Sequence, residues 1–194
     1  MLYQRFKVTL KSIARADFMR REDGVIALEA MIILPAMFWA FLTMFSIFHS
    51  FRTHGLTQRA AYSLGDAISR ETVPIDGEYL TGLHQLFEYL SNSQGDSSIR
   101  VTSILYDQSQ DRFYRDWSQT RGGGVLPLSS SDVENWHDVL PVMPDRERVI
   151  VVETFTTYEA PFKTGLEERE IRNFVFTRPR YAPRVCWENC PAGT

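Results

Sequence analysis

Lysine is nearly missing from this chain, with three residues (Lys7, Lys11 and Lys163) against eighteen arginines. Beyond Glu29, fifteen basic residues face twenty acidic ones, a balance of −5, and they form no basic cluster. A nucleic-acid footprint is clustered and basic, so no nucleic-acid partner is expected. Cysteine is equally sparse: Cys186 and Cys190 are the only two, spaced C-x3-C. Structural zinc wants four Cys/His ligands and no histidine lies near this pair, so no metal is expected. Outside the cytoplasm the two cysteines form a disulfide or remain thiols, and their spacing is compatible with either.

Recognisable catalytic motifs are missing too. The four histidines, His49, His54, His84 and His137, are scattered, and neither H-E-x-x-H nor G-x-S-x-G occurs. Gly122-Gly123-Gly124 is followed by Val125-Leu126-Pro127, without the lysine and hydroxyl of a phosphate loop, and reads as a surface loop. Trp136-His137-Asp138 sits near Ser129-Ser130-Ser131, but nothing in the spacing fixes a triad, and a capped, solvated helix is the expectation. A non-enzymatic protein without a cofactor follows.

What the chain does have is one long apolar run. Val25 to Phe48 comprises 24 residues with a single formal charge, Glu29. As a helix this run reaches roughly 36 Å, against a hydrocarbon core of about 30 Å. It exceeds the apolar core of a cleaved secretory signal, and no small-residue cleavage site follows it. Arg5, Lys7, Lys11, Arg15, Arg20 and Arg21 precede the run, whereas only Arg52 and Arg59 follow closely. The positive-inside rule puts the N-terminus in the cytoplasm and His49 onward outside. The expected organisation is a basic cytoplasmic leader (1–24), a transmembrane helix (25–48), a helical extension (49–71) and an extracytoplasmic α+β domain (72–194). The ~145 residues after the run suffice for one modest domain.

Within the leader, residues 3–20 place Phe6, Leu10, Ile13 and Ala14 at helical spacing, which fits a basic amphipathic helix or a plain topology signal. After the run, Leu56, Ala60, Leu64 and Ile68 continue a narrow helical stripe to about Arg70. Pro35 is expected to kink the first half of this helix. A shorter helix spans 78–90, with Leu80, Leu83, Phe87 and Leu90 on one face. Strands are expected at 99–106, 112–117, 148–158 and 171–177, the first two joined as a hairpin through 107–111. Ser131-Asp132-Val133-Glu134 fits a capping box opening a short helix. The fold class is α+β: a long N-terminal helix, a short helix, and an antiparallel sheet of about four strands.

Glu29 needs an explanation, because a carboxylate costs about 2.5–3.5 kcal/mol at the centre of a spanning helix. Near the edge of the span it can snorkel to headgroups. Alternatively, cleavage between Gly24 and Val25 creates an α-amino group that Glu29 of a neighbouring subunit accepts. Gly24 and Glu29 before an apolar run resemble the processing motif of type IV prepilins and pseudopilins. More narrowly, Asp23-Gly24-Val25-Ile26-Ala27-Leu28-Glu29-Ala30 through Leu34-Pro35 resembles TadE/TadG-type proteins of the tight-adherence (Flp) pilus system. Further likeness lies in Arg59-Ala60-Ala61-Tyr62 through Ser69-Arg70-Glu71-Thr72, in Val151-Val152-Glu153-Thr154, and in Arg178-Pro179-Arg180-Tyr181-Ala182-Pro183.

The resemblance implies a pilin-like fold and a minor pseudopilin that initiates, caps or anchors a pilus in the inner membrane. Its implied partners are a prepilin peptidase, other pseudopilins or pilins, and the membrane. The chain departs from the family pattern in three respects. It is much longer than a major Flp pilin, Val25 replaces the usual aromatic or methionine at the first mature position, and the leader is long. The G-x4-E spacing recurs at Gly165–Glu170 without an apolar run after it, so context carries the motif. The alternative is an uncut single-pass membrane protein whose outer domain binds an envelope partner or ligand.

Overall fold

The computed structural model describes residues 23–93, 95–163, 165 and 168–188; for Asp23, Gly24, Val25 and Ala27 only the backbone is described. Residues 1–22 of the leader, including the helix expected over 3–20, and Cys190 lie outside the described residues. The chain divides into two compact units. The first comprises the chain through Ile47 with Phe162–Gly165; the second is everything else.

Helix α1 runs from Asp23 to Ser69 as one 47-residue segment that passes through Pro35. In its first part, apolar residues are exposed on every side: Ile26, Met31, Leu34, Phe38, Trp39 and Phe41 among them. A helix apolar all round does not suit water, and this one is long and apolar enough to cross a membrane. Within the first unit, the ring of Phe162 meets Phe45 edge-on at 5.9 Å.

In the second unit the rest of α1 becomes amphipathic. Ala60, Leu64 and Ile68 are buried, as the stripe predicts, together with Ala61 and Thr57. Helix α2, Gly77–Ser91, begins one residue before its expected start, where Asp76 caps it by accepting the amide of Tyr79 at 2.8 Å. It buries Leu80, Leu83 and Phe87, but Ser91 takes the fourth buried position and Leu90 stays exposed. Asn92 ends it in a left-handed conformation.

Four strands follow: β1 Ser97–Asp107, β2 Arg112–Gly122, β3 Arg148–Tyr158 and β4 Arg169–Thr177. They form one antiparallel sheet in the order β2-β1-β3-β4. Val149 to Val152 are buried on both faces because β3 is an interior strand. Strand β2 extends five residues past the expected end, with a register shift between Ser103 and Ile104 opposite Trp117 and Arg115. Gly122 is therefore strand, not loop. Its φ is +90°, and a Cβ there would lie 2.3 Å from the Ser97 carbonyl oxygen, so only glycine fits.

The sheet is covered on both faces. One core joins α1 and α2 to Ile99, Val101, Ile150 and Val152; the other joins Ile104, Val149 and Val151 to Val133, Leu140 and Met143. The second core is closed by the long connection between β2 and β3. There a one-turn helix α3, Ser130–Val133, starts two residues earlier than expected: Ser129 is the cap, and both its amide and hydroxyl donate to Asp132 Oδ2. The C-terminal segment returns to the first core, where Val185 is buried and Ile75 bridges Trp187 in parallel.

Candidate functional site

Glu29 lies two turns into α1 and is exposed, among exposed apolar neighbours. Gly24 and Val25 belong to the first turn of the same helix, so helical geometry places all three along one short stretch. Cys186 is disulfide-bonded. Its carbonyl accepts the Ile75 amide at 2.9 Å, and the Glu188 amide returns a bond to the Ile75 carbonyl at 2.8 Å. The cysteine thus sits on the strap that closes the first core.

His137 faces Asp111 rather than Asp138, its Nε2 lying 3.1 Å from the Asp111 carbonyl oxygen. Ser129 Oγ is engaged by Asp132 and lies 2.8 Å from Ser131 Oγ, as expected of a helix cap. Among the described residues no cluster of three or more His, Cys, Asp or Glu could hold a metal.

Two polar features went unnoticed in the sequence. Glu153 is fully buried, yet it receives Arg100 Nε at 2.5 Å and Arg172 Nη2 at 2.5 Å. Both guanidinium groups also lie about 5.5 Å from the ring centroid of Phe155. Pairing from two sides is what makes a buried carboxylate tolerable. The signal was present as a charge inside the β3 apolar run, but its partners come from β1 and β4.

The second feature is a cavity of about 480 Å3 in the second unit, between the first turns of α1 after Phe48, the C-terminus of α2 and the end of β3. His49, Arg52 and Thr53 line it from α1, and Ser91 and Asn92 from α2. Thr156, Tyr158 and Glu159 contribute from β3 and just beyond. His49 Nδ1 lies 3.4 Å from the Tyr158 hydroxyl, whose pKa burial pushes up. Thr156 is 5% exposed and its hydroxyl has no hydrogen-bond partner among the described residues.

Comparison with models of protein families, with curated proteins and with solved structures finds no match.

Proposed function

We propose that this chain is a non-enzymatic minor pseudopilin that takes part in the assembly, initiation or anchoring of a tight-adherence (Flp, type IV-like) pilus. In this reading it lies in the inner membrane, with its N-terminus cytoplasmic and the domain from His49 onward extracytoplasmic. A prepilin peptidase cuts after Gly24. The new α-amino group of Val25 has a reference pKa of about 8 and is mostly charged at neutral pH. Glu29 of an adjacent pseudopilin or pilin then accepts it, and two charges costly in lipid become a pair that sets helix stagger.

The observation that carries this reading is helix α1 itself. It is apolar and exposed in its first part, and then supplies a buried stripe beneath a four-stranded antiparallel sheet. N-terminal sequencing and intact mass of the protein purified from membranes test it. We expect a chain beginning at Val25, and a Glu29→Ala variant that inserts normally but does not support filaments. A mature chain that still begins before Gly24 overturns the proposal. It would favour the second reading, an uncut single-pass protein whose outer domain binds a ligand or envelope partner, for which the cavity beside Thr156 speaks.

A further inference from the structure

We infer that the cavity bounded by Arg52, Thr156 and Glu159 is a binding site for a phosphoethanolamine group, supplied by the headgroup of a membrane phospholipid. Three independent features support this.

The first is chemical. The cavity is lined from α1 by Arg52 and His49, and from β3 by Tyr158, whose hydroxyl lies 3.4 Å from His49 Nδ1. A guanidinium suits a phosphate, which accepts charge-assisted hydrogen bonds. The cavity also carries the other sign. Glu159 lines the same cavity, and so does the C-terminal end of α2 at Ser91 and Asn92. A helix C-terminus carries partial negative charge on its last carbonyls, which disfavours a bare anion and favours an ammonium. One formal cation and one formal anion in a single cavity match a zwitterion better than a simple phosphate.

The second feature is the Thr156 hydroxyl. Thr156 belongs to the face of β3 that carries Ile150 and Val152 toward the helices, by the two-residue alternation of a strand. Its side chain therefore points to this cavity, 5% exposed and without a partner among the described residues. On the same face, Thr154 bonds Asn173 at 3.1 Å. An unpaired buried hydroxyl carries a desolvation penalty that a ligand oxygen would offset.

The third is position in the chain. His49 directly follows Phe48, the last residue of the apolar run, and Arg52 is three residues further on. A residue that close to the end of a spanning segment is within reach of the phosphate layer of the bilayer. The inference rests on α1 as a membrane span and is independent of cleavage after Gly24.

Calorimetric titration of the full chain in a phosphate-free non-ionic detergent tests the site. The probes are dihexanoyl-phosphatidylethanolamine, dihexanoyl-phosphatidylglycerol and free O-phosphoethanolamine. Saturable binding of the ethanolamine lipid is expected, tighter than that of the glycerol lipid. Arg52→Gln should weaken both lipids by about tenfold, as loss of a charge-assisted bond does. Thr156→Val should weaken both by about threefold or more. Glu159→Gln should weaken the ethanolamine lipid alone. Arg52 and Glu159 are exposed, so these two variants keep the fold. Free O-phosphoethanolamine binding as tightly as the lipid would support the headgroup chemistry and overturn the bilayer as its source. No saturable binding, or binding unchanged in all three variants, overturns the site. Equal affinity for both lipids, with Glu159→Gln neutral, overturns the ammonium half. None of these outcomes depends on where the mature chain begins, so failure here is distinct from failure of the pseudopilin reading.

Discussion

Glu29 and Glu153 are two carboxylates in apolar surroundings, and they pose the same problem with different solutions. Glu153 has its partners in the same chain: Arg100, largely buried, and Arg172, whose side chain is 55% exposed. Breaking a buried pair leaves an uncompensated charge, so Glu153→Gln should lower stability by about 3–5 kcal/mol. Arg172→Ala, removing the solvent-screened partner, should cost less than about 1 kcal/mol. Denaturant unfolding of the full chain in detergent measures both, and equal losses would contradict this asymmetry. Glu29 is exposed and sits in a segment whose neighbours are all apolar, and for it the proposed partner is the amino terminus of another subunit. The letters of the sequence mark both residues as unusual. They do not say which is satisfied within the molecule, because the arginines serving Glu153 lie 53 residues before it and 19 after it.

Elements were largely legible wherever a regular period and local turn chemistry agreed. Strand β3 occupies 148–158 as expected, and the stripe of α1 is buried at Ala60, Leu64 and Ile68 but only half-buried at Leu56. Boundaries drifted where a side chain or a register shift, rather than hydrophobicity, sets the end. Asp76 caps α2 one residue before its expected start, and the irregularity opposite Ser103 lets β2 run to Gly122. The cap of α3 gives a pH test. Bonds from the Ser129 hydroxyl and amide hold the Asp132 carboxyl below its ordinary value. A carboxyl depressed in the folded state stabilises above its unfolded pKa of about 4, and that stability is lost as pH falls through the folded value. Asp132→Asn should therefore lower the melting temperature at pH 7, and the difference from wild type should shrink below about pH 4. A difference that persists unchanged at acid pH would show that the cap does not act through charge.

At the scale of the whole molecule, the C-terminal strap joins parts of the chain that local pattern leaves unconnected. Val185 is 3% exposed in the first core, its carbonyl accepts Trp117 Nε1 at 2.9 Å, and Trp187 bridges Ile75. Burying a valine side chain is worth about 1.5–3 kcal/mol, so Val185→Ala should destabilise by a comparable amount. A midpoint shift well below that range in denaturant would mean the strap is dispensable.

The sequence by itself determined the elements whose causes are local: a membrane-length apolar helix with one carboxylate near its start, its amphipathic continuation, the strongest strand, and an antiparallel α+β architecture. Those follow from runs and periods that any short window contains. Only the tertiary structure decided what depends on distant segments meeting. The strand order, the doubly paired Glu153, the strap on Ile75 and the cavity joining Arg52, Thr156 and Glu159 all belong to this second group. Their physical basis is contact between residues separated by tens of positions, to which local periodicity is blind.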